Sequence, residues 1–243
     1  MKSSETGMLS SPDTAEQRWI PVFGAIAIAI LITTQVYAFS TSAPDRDMGN
    51  LQKIMYVHVP VAWNAFIAIF VVLLASARVL WTGSRHADFL AASAAEAGAV
   101  LTALTLVLGS IWGRPTWGVW WTWDPRLTST LVLLLIFIGY LSLRSFVDEP
   151  DRRARWSAAV GILGALNVPV VYMSVRWWRT LHQVQSSPST VDPEYALGLR
   201  INAIAVLLVL IYFIARRYDA AKIEYAADEI AERASLAGRA GNV

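Results

Sequence analysis

The sequence of 243 residues contains no cysteine. That excludes disulfides, thiolate metal sites, Fe–S clusters and thioether attachment of a cofactor to this chain. Histidine is scarce, with three in all. The net charge is only +2, which gives no sign of a nucleic-acid partner. No glycine-rich P-loop pattern is present, so nothing in this chain points to ATP hydrolysis. Internal repeats and low-complexity tracts are missing too.

What the sequence has in excess is apolar surface. Hydrophobic residues make up 56% of it, and the mean hydropathy is +0.46, where soluble domains hold about 45–50% apolar residues. The excess falls into six blocks, near 19–39, 59–80, 91–112, 127–143, 156–175 and 196–215. Each is about long enough for a membrane helix, which needs roughly 20 residues. None alternates with period two, so they are not barrel strands. Helices also satisfy their own backbone polar groups, as lipid requires. The sequence predicts an all-α integral membrane protein, a six-transmembrane helical bundle forming one domain over 19–215. Residues 1–18 form a polar tail, and 216–243 a charged tail whose helix continues from the last span. Ile223, Ala227 and Ile230 give that tail a weak apolar stripe, on a segment read as mainly solvated.

Thirteen of the twenty basic residues lie in the two tails and the even-numbered loops. The positive-inside rule therefore predicts that both termini are cytoplasmic. Val36-Tyr37-Ala38 resembles a cleavage site, but the apolar run before it is longer than the usual 7–15 residues, and the leading tail is mixed in charge. The first block is read as an uncleaved span.

With this topology three loops face the outer side. The second contains WGRPTWGVWWTWDPRLTS, residues 112–129, with five of the eleven tryptophans in twelve residues. Gly113, Pro115 and Gly118 are expected to break the third helix. Beyond them Trp117, Trp120, Trp121 and Asp124 fall at i, i+3, i+4 and i+7, which predicts a short amphipathic helix with an aromatic face. An aromatic belt at the membrane interface is the simpler account of single tryptophans. The density here exceeds what anchoring needs and favours a ligand platform.

Two of the three histidines flank this cluster on the same side: His58 in KIMYVHVPVAW and His182 in RWWRTLHQVQSSP. Only packing of the bundle could bring them together. A large flat apolar ligand would stack on indole faces, imidazole is the commonest metal-binding side chain, and Arg114, Arg126, Arg176 and Arg179 could pair with carboxylates. Haem has all three features. A quinone has the plane but does not need two histidines, and a sugar would call for more Asp, Glu and Asn in these loops.

The tryptophan stretch resembles the "WWD" signature of haem-handling proteins in cytochrome c biogenesis. Six spans, short loops and the stretch MYVHVPVAW are similar to the CcmC family, over about residues 19–215. The larger relatives with this signature carry more spans and extra histidines. The resemblance implies a haem-binding and haem-delivery protein, not an enzyme, in the bacterial cytoplasmic (inner) membrane, with its haem site on the periplasmic side. It implies that haem b is bound with His58 and His182 as axial ligands, and that the segment from Trp112 to Asp124 holds the macrocycle edge. Trp117, Trp120 and Trp121 are expected to form the platform, and Trp123 and Asp124 to meet the chaperone. Arg126 and Arg114 are candidates for the propionates, with snorkelling at a helix end as the alternative. The implied partners are haem, a membrane-anchored CcmE-like haem chaperone, CcmA- and CcmB-like ABC transporter ATPase and membrane subunits, a small one-span CcmD-like subunit, and membrane lipid. Two other functions remain open on the residues alone: a b-type cytochrome or quinone redox subunit, and a haem-free scaffold subunit of an ABC transporter. Within the spans, Glu96 is expected to pack against a partner, and Asn167 with Pro169 to mark a kink or an inter-helix hydrogen bond.

Overall fold

The computed structural model describes residues 16–182 and 191–240. The leading polar tail up to residue 15 and positions 183–190 of the third outer loop lie outside the described residues. Among the described residues seven α-helices follow one another: α1 (Glu16–Thr41), α2 (Met55–Thr82), α3 (Arg85–Trp117), α4 (Pro125–Phe146), α5 (Pro150–Ala165), α6 (Asn167–Trp177) and α7 (Pro193–Ala240), with a 3₁₀ turn at Asn50–Ile54 before α2. Among these residues six stretches are long and apolar enough to cross a membrane: Trp19–Thr41, Asn50–Thr82, Arg85–Trp117, Pro125–Phe146, Pro150–Trp177 and Pro193–Ala237. They contain the six blocks read from the sequence. The fifth is made of α5 and α6 together, broken at Leu166.

α2 is the central helix and packs on α3, α5 and α7, while α4 bridges α3, α5 and α6. The core lies where Ile69, Val72 and Ala75 of α2 meet Ala91, Ala94 and Ala95 of α3 and Leu133, Phe137 and Tyr140 of α4. Small residues permit this approach, as is common between membrane helices. A Cβ at Gly98 would sit 2.4 Å from the Phe137 ring. Amide side chains tie the helices where hydrocarbon offers no water. Asn64 Nδ2 donates to the Ala203 carbonyl (3.1 Å), and Asn167 Nδ2 to the Ser129 carbonyl (2.9 Å). Asn167 thus makes its inter-helix bond just past the break in the fifth span.

At the end of the bundle opposite the tryptophans, Arg144 of α4 forms a two-pronged ion pair with Asp88 of α3 (2.5 and 2.8 Å). Glu96 has a partner within the chain: Arg217 of α7 pairs with its carboxylate. α7 runs on past its apolar part as one helix, as expected. His86 Nδ1 and the Tyr218 hydroxyl share a hydrogen bond (2.8 Å), and Arg85 lies 4.5 Å over the Tyr225 ring.

The structure corrects the second outer loop. α3 passes through Gly113 and Pro115 and ends only at Trp117, where Gly118 takes a left-handed conformation (φ 80°). Residues 118–124 form no helix. The i, i+3, i+4 spacing is present, but Gly118 ends one helix and the pair Asp124-Pro125 starts the next, leaving too few residues for a helix of its own.

Candidate functional site

The outer ends of α2, α3, α4 and α6 enclose a cleft of about 250 Å³, lined by His58, Trp112, Trp117, Arg126 and His182 among others. His58 stands in the first turn of α2 and is buried. Its imidazole lies against α3, where a Cβ at Gly109 would come 3.2 Å from its Cε1. Trp112 meets the His58 ring edge-on, with centroids 5.8 Å apart. One turn farther out, Trp117 lies 6.1 Å from the His182 ring. Each histidine therefore has its own indole of α3, and both open into the same space. Below them the cleft extends down to Phe66, Thr102 and Leu133. These residues belong to candidate membrane spans, and Phe66 and Leu133 make this part largely apolar.

Three polar atoms in this region, His58 Nδ1, Trp112 Nε1 and Arg126 Nη1, are buried with no protein hydrogen-bond partner of standard geometry. Buried polar groups are normally satisfied, so three around one cleft suit a ligand carrying acceptors or a metal. Arg126 follows Pro125 in the first turn of α4 and brings positive charge to the cleft. The other basic candidates are elsewhere. Arg114 Nη1 donates to the Gly118 carbonyl (2.6 Å) and braces the end of α3. Arg176 and Arg179 are exposed and are not among the residues lining the cleft.

The tryptophans divide into three groups. Trp112 and Trp117 line the histidine cleft. Trp120 and Trp121 instead line a shallower apolar groove between α3 and α4, with Ile111 and Leu131. Trp123 is 74% exposed and Trp120 60%. The continuous platform of Trp117, Trp120 and Trp121 expected from a helical face does not form, because the face that would carry it is absent.

Asp124 also departs from expectation. It is 5% exposed, with its carboxylate turned to groups of its own chain. Oδ1 accepts the Arg126 N–H (2.9 Å) and caps α4, and Oδ2 accepts the Thr180 hydroxyl (2.5 Å) and the Leu181 N–H (2.8 Å). Burial pushes its pKa upward, but the donors Thr180, Leu181, Arg126 and Leu127 outweigh it and hold the carboxyl below its usual range.

Sequence reading missed Thr180, Gly109 and Met48, the last a residue of the first outer loop that also lines the cleft. Their roles depend on contacts between distant segments, and no local pattern signals these.

The comparisons with known proteins agree with one another. The profile of the family CcmC, heme exporter protein C, matches residues 8–232. Heme exporter protein C of Bradyrhizobium diazoefficiens is 40% identical over 191 residues, covering 77% of this chain and 73% of the relative. That of Escherichia coli K12 is 34% identical over 193 residues, covering 79% and 78%. That of Paracoccus denitrificans is 38% identical over 166 residues, covering 68% of each. A match that runs through all six spans and both histidines places this chain in the CcmC family of heme exporter C proteins.

Proposed function

We propose that this multi-pass inner-membrane protein binds haem in the cleft between α2, α3, α4 and α6, with His58 and His182 as the axial ligands, and delivers it for cytochrome c maturation. The family supports the delivery role at the level its name states. The observation that carries the site is the meeting of the two outer histidines across one cleft, each beside an indole of α3. Two imidazoles opening into one cleft would supply nitrogen ligands to a haem iron held there. The apolar floor suits the macrocycle, and Arg126 suits a propionate. The resemblance implies haem b, which a chain without cysteine would hold with no thioether bond.

In this reading the chain's residues hold, orient and present a cargo, and perform no bond-making of their own. Trp112 meets the His58 ring edge-on and Trp117 lies tilted against the His182 ring, and these contacts restrict how each imidazole turns. Trp120 and Trp123, exposed at the outer surface, are the contacts for a membrane-anchored CcmE-like chaperone. CcmA- and CcmB-like transporter subunits with a small CcmD-like protein would supply the ATP-driven release. A redox role is less well supported: the third histidine, His86, lies at the opposite end and bonds to Tyr218, so no second pair stands across the bilayer.

The test is the visible spectrum of the detergent-purified chain beside its His58→Ala, His182→Ala double variant. A Soret band in the parent that is lost in the variant is the expected result. Equal bands in both would remove the two ligands, and no band in a hemin-supplemented parent would leave a scaffold.

A further inference from the structure

We infer that Thr180 is a positioning residue for His182, acting through the buried carboxylate of Asp124. The inference rests on the ligand reading above, but it stands on its own geometry. α6 ends at Trp177, and the chain leaves it extended at Trp178. From there to His182 no helix or strand holds the backbone. A free segment would leave His182 without a fixed position, and an axial ligand must be held within about half an ångström.

A short chain of hydrogen bonds supplies a hold on the backbone of His182. The His182 N–H donates to Thr180 Oγ1 (3.0 Å), and the Thr180 hydroxyl donates to Asp124 Oδ2 (2.5 Å). The Leu181 N–H donates to the same oxygen (2.8 Å). The hydroxyl accepts and donates at once, and it is the link through which the backbone of His182 reaches the tryptophan segment. The other oxygen of Asp124 caps α4 just where Arg126 enters the cleft. One carboxylate therefore sets the position of both the histidine and the arginine. Bonds to an ionised, desolvated acceptor are the strong kind, so a segment without secondary structure acquires a defined seat.

Thr180→Val keeps the volume and removes both functions of the hydroxyl, and Thr180→Ser keeps them. Hydrogen exchange of the full chain in detergent, without haem, should show the Leu181 and His182 amides exchanging about tenfold faster in Thr180→Val. Thr180→Ser should match the parent. After loading with hemin, Thr180→Val should lose the six-coordinate low-spin spectrum, and added imidazole should restore it by filling the vacated axial position. A merely structural defect would not be cured by imidazole. Asp124→Asn, which retains a capping side chain, should give an intermediate exchange rate and covers the case of a poorly folding Thr180→Val. Unchanged exchange in both Thr180→Val and Asp124→Asn would overturn the proposal, as would a low-spin spectrum unaffected by losing the hydroxyl. A parent that binds no hemin would count against the ligand reading, while the exchange rates still decide the hold on His182.

Discussion

Asp124 shows how one residue type can be recognised in a sequence and its job misjudged. In a tryptophan-rich outer loop an acid looks like a surface contact; folded, it is buried and accepts three hydrogen bonds from two segments. Its carboxyl is held below its ordinary range despite burial. A group whose pKa falls on folding contributes in full above its unfolded value, roughly 3.9, and loses that contribution only as pH drops through the lower folded value. Exchange of the Leu181 and His182 amides, corrected for intrinsic rates, should stay flat from about pH 7 to about pH 4.5. A rise starting near neutral pH would mean another group holds this segment. The tryptophans separate on the same scale. Trp120→Ala with Trp123→Ala should cut transfer to the chaperone on the order of tenfold while leaving the Soret band, because neither indole lines the cleft. Trp117→Ala, beside His182, should weaken the band itself. Equal loss of the band in both variants would contradict the division.

Between elements, the joint of α3 with α4 is made differently at each end. At the outer end the loop of tryptophans and the Asp124 cap set it. At the other end Asp88 and Arg144 pair with their side chains only 7% and 15% exposed. Removing one member of such a pair strands a charge, which costs about 3–5 kcal/mol. Asp88→Ala should lower the thermal midpoint in detergent accordingly, and Asp88→Leu combined with Arg144→Met should recover much of it. If the double variant were as unstable as the single one, the pair itself and not the stranded charge would be the source of stability. Midway along the same joint, Gly98 faces Phe137 with no room for a methyl group. Gly98→Ala should destabilise by about 1–3 kcal/mol through overpacking, measurable in the same melts.

For the whole molecule, six candidate spans are an even number, and the surplus of basic residues in the tails and even-numbered loops predicts that both ends are cytoplasmic. A reporter that matures only outside the cytoplasm should stay silent when fused after Val243 and become active when inserted in the first outer loop at Arg46. The reverse pattern would put the cleft on the cytoplasmic side. The separation is physical: the histidine cleft lies at one end of the bundle, and the ion pairs Asp88–Arg144 and Glu96–Arg217 lie toward the other.

The six spans followed from composition and block length alone, because hydrocarbon forces long apolar segments into helices and leaves few alternatives. The two histidines stood out because histidine is rare here and both fall on one side of the membrane. Tertiary structure decided what no local pattern could carry. Gly118 ends α3 and Asp124 with Pro125 starts α4, so the helical spacing of Trp117, Trp120 and Trp121 never becomes a helix. Packing sends Trp112 and Trp117 into the cleft but turns Trp120 and Trp123 outward. Thr180 and Asp124 meet only because α4 and α6 lie side by side. Periodicity and hydropathy report a residue's own neighbourhood, whereas a site built from four helix ends depends on which ends the bundle brings together.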